Sequence, residues 1–217
     1  KKVYWLKNGV DINFYNADKT SPANWRKENG FTPDDFLLIY AGILGHAQGL
    51  EVIIKTAKLL SDKSNIKFIF LGSGPEKEKL ELLCSENSLH NVYFFNVVPK
   101  QQMQTILAST NASIIPLRKL DLFKGAIPSK IFENLALKKP ILLGVDGEAR
   151  ELFINNGNCG LYFEPENHEE LAKQIMQLYE NGDLAHVLGE NGYSFVSKDF
   201  NRDIIAQNFW RELSQIK

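Results

Sequence analysis

Six short runs, apolar almost from end to end, constrain this chain more than any other feature. Phe36-Leu37-Leu38-Ile39-Tyr40-Ala41 stops at Gly42, and Ile66-Lys67-Phe68-Ile69-Phe70-Leu71 stops at Gly72. Val92-Tyr93-Phe94-Phe95, Ala112-Ser113-Ile114-Ile115-Pro116, Pro140-Ile141-Leu142-Leu143-Gly144 and Gly160-Leu161-Tyr162-Phe163 follow. Between them the apolar residues change period. Leu50, Ile53, Ile54, Ala57 and Leu60 recur with helical spacing, as do Met103, Ile106 and Leu107, then Ile131, Leu135 and Ala136. A strand without in–out alternation is covered on both faces, as in parallel sheets. Right-handed crossovers through the intervening helices then predict an α/β fold, a Rossmann-like doubly wound parallel sheet.

After the sixth run the strands stop. Leu171, Ile175, Leu178 and Tyr179 mark one helix and Leu184 to Val196 another. Ile204, Ile205, Phe209, Trp210 and Leu213 mark an amphipathic C-terminal helix. The expected organisation is one Rossmann-like domain over 1–200 with a helical tail over 201–217. With 217 residues, 44% of them hydrophobic, the chain can bury a sizeable core. A net charge of -1 gives no basic surface for nucleic acid, so no nucleic-acid partner is expected. No apolar run is long enough to span a bilayer, and Lys1-Lys2-Val3-Tyr4-Trp5-Leu6-Lys7 carries no signal-peptide core. Val3-Tyr4-Trp5-Leu6 reads as a strand or extended linker entered halfway, as in a piece of a longer protein. Cys84 and Cys159 make neither a disulfide framework nor a metal spacing and suit reduced thiols in the cytoplasm.

In an open α/β sheet, ligands sit beyond the carboxyl ends of the strands. Four loops there hold glycine or special polar residues. Gly42-Ile43-Leu44-Gly45-His46-Ala47-Gln48-Gly49 could hold a phosphate on its amides, or be a glycine-rich turn without a ligand. Gly72-Ser73-Gly74-Pro75 is explained by turn chemistry, with backbone approach to a ligand as the alternative. In Asn96-Val97-Val98-Pro99, the apolar residues either stack on a base or belong to the core. The loop 117–127 carries Arg118, Lys119 and Lys124 against Asp121, which suits a diphosphate or a solvated charged loop equally.

That loop runs into Pro128-Ser129-Lys130-Ile131-Phe132-Glu133, where Ser129 is a plausible N-cap. Lys130 stands in the first helical turn, where the dipole favours anions. Glu133 follows one turn later as an acceptor for hydroxyl groups. The pair reads either as a surface ion pair or as an anion pocket beside a hydroxyl acceptor. There is no G-x-G-x-x-G, Walker A, G-x-S-x-G, H-E-x-x-H or D-x-D motif, and His46, His90, His168 and His186 are scattered. Neither a metal nor a cofactor is expected.

In this order the loops resemble one family, the C-terminal donor-binding half of family 4 (group 1) retaining glycosyltransferases with the GT-B fold. The resemblance runs from Asn8-Gly9-Val10-Asp11, like the family's N-G-V-D segment, to the final helix. Gly72-Ser73-Gly74-Pro75 resembles G-x-G-P, and Glu133-Asn134-Leu135-Ala136-Leu137-Lys138-Lys139-Pro140 resembles E-A-M-A-x-G-x-P. Asp146-Gly147-Glu148 through Glu151 resembles the G-G-x-x-E loop, and Gly157-Asn158-Cys159-Gly160-Leu161 the N-G-G-L turn. The A-Q-G-L loop and the P-S-K-I-F-E helix are similar to a bacterial subgroup that builds surface polysaccharides.

The resemblance implies donor binding by Gly45, His46, Gln48, Gly72, Gly74, Val98, Ser129, Lys130 and Glu133, with Glu133 on the ribose. It implies metal-independent transfer from a nucleotide sugar, a UDP-sugar first, to a saccharide or lipid-linked acceptor. The acceptor site and any catalytic base would lie on an N-terminal domain of the same protein, against which the C-terminal helix would pack. This chain by itself would then bind donor and catalyse nothing. The setting would be cytoplasmic, at the inner face of the membrane for the full-length protein. Two departures stand out. Ile43 and Gln48 replace the family's arginine and lysine clamp, so Lys130 would supply the missing charge. Gly125 replaces the first glutamate of E-x7-E, which implies an altered sugar, such as a deoxy or acetamido sugar. A GT-B sugar-nucleotide epimerase and a non-enzymatic Rossmann-like nucleotide-binding module are the alternatives.

Overall fold

The computed structural model describes Val3 and residues 6–215; Tyr4 and Trp5 of the expected first strand lie outside the described residues. Six parallel strands form one sheet: β1 Phe36–Ala41, β2 Ile66–Leu71, β3 Val92–Phe95, β4 Ala112–Pro116, β5 Ile141–Gly144 and β6 Gly160–Tyr162. Their order is β3-β2-β1-β4-β5-β6, with Leu38 of β1 between Phe68 and Ala112. This is the Rossmann order, and the winding reverses between β1 and β4.

β1 shows why the run lacks alternation. Leu37, Ile39 and Ala41 enter one core, and Leu38 and Tyr40 enter the other. The second core is closed by α2 (Glu51–Leu59) and α7 (His168–Glu180), through Val52, Ile53 and Ala57 and through Leu171, Ile175 and Leu178. The first is closed by α5 (Lys130–Ala136), by a π-helical segment Glu151–Asn156 and by Phe200. Phe132, Phe153 and Phe200 form an aromatic triangle there, with centroids 5.0 to 5.7 Å apart. Burial of each ring contributes about 1.5–3 kcal/mol and fixes α5 against the sheet.

Four expectations need adjustment. The fifth strand begins at Ile141, after Pro140, which has no N–H for the ladder. The sixth ends at Tyr162. The helices Pro22–Glu28 (α1) and Lys77–Glu86 (α3) were not marked by period; α1 buries no residue, and α3 buries only Leu80 and Cys84. The helix expected over 184–196 runs from Gly182 to Asp199 (α8).

The C-terminal helix, Arg202–Ser214, buries nothing, and Trp210 is 70% exposed. Its start is tied to the first segment. Val10 donates to Phe200 O and accepts from Arg202 N, at 2.9 and 3.0 Å. Cys84 and Cys159 are free and buried, and burial pushes their thiols up to about 11 and about 12. Among the described residues, no helix is long and apolar enough to cross a membrane.

Candidate functional site

The winding reversal brings the turn after β1 beside the loop and helix after β4. Lys130 fills the gap. Its Nζ lies 3.7 Å from the centroid of the Tyr40 ring, and a Cβ on Gly42 would sit 2.9 Å from it. The Tyr40 hydroxyl donates to Ile43 O at 2.6 Å, which fixes the ring. Lys130 has no carboxylate within 4.0 Å among the described residues, so the surface ion pair with Glu133 does not form. Burial pushes the ammonium down to about 7, and the more distant charge of Glu133 opposes this only in part. The backbone N–H groups of Ser129 and Lys130 have no hydrogen-bond acceptor among the described residues. Ser129 is not a side-chain cap: its own backbone is helical (φ -60, ψ -29) and its exposed hydroxyl makes no cap bond.

Glu133 has a partner that the motifs did not suggest. The buried Tyr15 presents its hydroxyl to the Glu133 carboxylate. Burial and then the charge of Glu133 raise the phenol well above its usual range. Arg202 and Asp11 contribute further charge around Tyr15. The first segment and the start of the last helix therefore meet at the second turn of α5.

In the first loop, His46 Nδ1 lies 2.8 Å from Oε1 of buried Glu76, so Nδ1 carries the donated proton and Nε2 faces outward. Gln48 curls back, its Oε1 2.9 Å from where a Cβ on Gly45 would stand. The basic loop is not a free anion clamp. Arg118 pairs with Glu166 and Glu51 at 3.4 and 3.5 Å and donates to His46 O at 2.6 Å. Lys119 pairs with Glu164 and Lys124 with Asp121, both at 2.7 Å. Most of these carboxylates come from distant parts of the chain, which a reading of the loop alone cannot supply.

What approaches Gly72 and Gly74 is the protein's own backbone. A Cβ on Gly72 would collide with Gly42 O, and one on Gly74 with Leu44 O. Beside this contact lies an apolar cleft of about 220 Å³, lined by Gly42, Ile43, Gly72, Ser73, Val98 and Met103. The site therefore gathers Gly72, Val98 and, through Gly42, Lys130; Gly74, Gly45, His46 and Gln48 stand outside the cleft lining. A second chamber of about 360 Å³ opens beyond β4 and β5, between Leu117, Phe123 and Lys124 on one side and Val145 and Asp146 on the other. Gly125 follows this wall, exposed and with open space around it. Another groove, about 520 Å³, runs past Lys55, Lys58 and Leu83 on α2 and α3, along charged helix faces. Among the described residues no three His, Cys, Asp or Glu side chains are grouped to hold a metal ion.

Residues 22–195 match the family described as Glycosyl transferases group 1. The chain is 23% identical over 212 residues to the uncharacterized glycosyltransferase MJ1607 of Methanocaldococcus jannaschii, covering 95% of this chain and 52% of that protein. It is 27% identical over 146 residues to the putative colanic acid biosynthesis glycosyl transferase WcaI of Escherichia coli, covering 65% and 35%. Among solved structures, Anabaena Alr3699/HepE in complex with UDP and glucose superposes with a TM-score of 0.82 at 21% identity, over 97% of this chain and 56% of that one. At that identity the likeness is one of fold. The chain thus spans about half the length of the first relatives it matches.

Proposed function

Because the chain belongs to the group 1 glycosyl transferases, we propose that it holds the nucleotide-sugar donor for metal-independent, retaining glycosyl transfer in polysaccharide assembly. The observation that carries this is Lys130: a cation with no carboxylate within 4.0 Å among the described residues, held between the Tyr40 ring and Gly42 beside a cleft of base size. A base fits the apolar cleft against Val98, with Gly72 and Ser73 beneath it. The diphosphate then meets Lys130 and the open amides of Ser129 and Lys130, and a phosphate oxygen of the donor helps activate the acceptor hydroxyl. Glu133 accepts from the ribose hydroxyls. The sugar enters the chamber beyond β4 and β5.

A UDP-sugar is the favoured donor, a reading supported by the UDP and glucose in HepE; the printed role of WcaI supports a polysaccharide product. A saccharide or lipid-linked acceptor and its catalytic base belong to a further, N-terminal domain, and this chain by itself turns nothing over. Thermal shift with UDP, GDP and CDP, each with and without EDTA, tests the donor site, since ligand bound to the folded state raises the melting temperature. UDP is expected to give the largest rise, unchanged by EDTA. No response to any nucleotide sinks the reading, and a response that needs magnesium sinks its metal-free part.

Two substitutions probe the parts separately. Tyr15→Phe removes only the hydroxyl that orients Glu133. The preference for UDP over 2′-deoxy-UDP is expected to shrink about fivefold, the effect of about 1 kcal/mol for one hydrogen bond. An unchanged preference removes Tyr15 from the site. Gly125→Glu restores the carboxylate at the first position of E-x7-E, where nothing blocks a side chain. Its expected effect is a change in which UDP-sugar binds best, with UDP affinity unchanged. If a panel of UDP-sugars keeps its order of affinity, Gly125 does not face the sugar.

A further inference from the structure

At the opposite end of the sheet lies a pocket that donor binding does not use. It has a volume of about 240 Å³ and opens at the amino ends of β4 and β5. Four elements build it: α1 brings Arg26, the turn before β4 brings Ser109 and Asn111, the turn before β5 brings Lys138 and Lys139, and α8 brings His186. No acidic residue lines it.

The charge inside is unbalanced. Arg26 donates Nε to Ser109 O at 2.7 Å, Nη1 to Thr32 O and Asp35 O at 3.1 and 2.9 Å, and Nη2 to Asn111 Oδ1 at 2.7 Å. That leaves one N–H of the guanidinium for another acceptor. Asp35 turns its carboxylate to Thr32 instead, accepting from Thr32 N and Oγ1 at 2.7 and 3.0 Å. The Lys139 ammonium makes neither a hydrogen bond nor an ion pair among the described residues. Burial, and then the neighbouring Arg26, push its ammonium down to about 8. Lys138 is the rim: it pairs with Glu190 at 2.8 Å and takes a left-handed φ of 58.

That backbone is a Schellman ending to α5. Lys138 N bonds Leu135 O and Lys139 N bonds Asn134 O, both at 3.0 Å. Glycine is the favoured residue at the left-handed position, and a lysine there costs about 1 kcal/mol. The chain therefore keeps two adjacent lysines at a strained turn, beside an arginine, in a pocket without an acid. Like charges brought together in a half-closed site are unfavourable unless an anion joins them.

We propose that this pocket binds a phosphate-type oxyanion, bridged between Lys139 and the remaining N–H of Arg26, with His186 at the mouth. It is independent of the donor site, because β4 separates the two by about 15 Å at 3.3 Å per residue. A free phosphate and the phosphate of a lipid headgroup share this chemistry.

Inorganic phosphate is the probe, titrated into the Lys130→Met chain so that the donor site is disabled, with backbone amide shifts as the readout. Shifts at Thr110, Asn111 and Lys139 are expected, and Lys139→Gln added to Lys130→Met should weaken phosphate at least tenfold, with Lys139→Arg restoring it. Affinity unchanged by Lys139→Gln, or shifts confined to the carboxyl ends of the strands, overturns the site. Lys139 is partly solvent-facing and packs no core, so the variant folds; a melting temperature no lower than that of the parent checks this. Co-sedimentation with vesicles of phosphatidylcholine, with and without phosphatidic acid, then identifies the source. Binding that needs phosphatidic acid and Lys139 upholds the site as a headgroup site. Phosphate binding without vesicle binding upholds it as a site for a soluble phosphate.

Discussion

Lys130→Met is expected to abolish most of the nucleotide response and, in the same experiment, to raise the melting temperature of the ligand-free chain. Methionine keeps the length that packs over Tyr40 and removes the charge. A charged hydrogen bond to phosphate contributes about 1.5–3 kcal/mol, so UDP affinity should fall about 10- to 100-fold. The gain in stability follows from the same burial. Lys130 titrates near 7 in the folded chain against 10.5 in its unperturbed state. Between those values the unfolded chain binds more protons, so stability rises with pH across that window, and the full penalty is present below it. The ring of Tyr40 returns part of that penalty, about 0.5–2 kcal/mol. A net gain of about 1 kcal/mol raises the melting temperature of a chain this size by about 2–4 °C.

The wild-type chain carries the matching pH signature. An incoming diphosphate favours the ammonium, so binding takes up a proton wherever the free lysine is neutral. UDP affinity should be level below pH 7 and fall by up to about tenfold per pH unit above it. Lys130→Met should flatten that slope. A variant that keeps both affinity and slope would remove Lys130 from the donor site.

Gly72→Ala should cost the fold itself. The glycine has a φ of 151, and a Cβ would collide with the Gly42 carbonyl oxygen. The obstacle is backbone, not the end of a flexible side chain. Gly42 N donates to Leu71 O at 2.9 Å and Leu44 N to Ser73 O at 2.9 Å, so neither turn can retreat without breaking the ladder beyond β1 and β2. A penalty of about 3 kcal/mol or more is in the range of other severe backbone clashes. It would lower the melting temperature by about 6–12 °C or leave the chain insoluble. Gly125→Ala is the control, since nothing lies within 4 Å of its Cβ and a change of less than about 0.5 kcal/mol is expected. Melts of the two variants decide the matter: if Gly72→Ala melts within about 2 °C of the parent, the turns do not touch as described.

Much of this fold was legible in the residues. Phe36–Ala41 and Ile66–Leu71 are strands at the expected bounds, because a run buried on both faces needs no partner to announce it. The helices without a readable apolar period are those with little buried surface. In α1, Arg26 reaches across to Ser109 and Asn111 and holds what apolar contact does not. Of the candidate donor residues, Gly72 and Val98 line one cleft, and Lys130 lies against Gly42 at its edge, as strand order and loop position imply. Tyr15 was not legible, because it lies 118 positions before Glu133 and resembles any aromatic after a turn.

Charge is where local reading and tertiary structure part company. Arg118, Lys119 and Lys124 look like a phosphate clamp in the loop, yet Glu51, Glu164, Glu166 and Asp121 neutralise them. Lys130 looks like half of an ion pair with Glu133, yet its ammonium has no carboxylate within 4.0 Å among the described residues. The sequence by itself determined the alternation of strands and helices, their parallel pairing and the glycine turns at the strand ends, since period and backbone freedom are properties of neighbouring residues. Only the tertiary structure decided which charges are spent on one another and which are left without a carboxylate partner. A salt bridge is made by residues 48 or 67 positions apart as readily as by neighbours, and no local pattern records it.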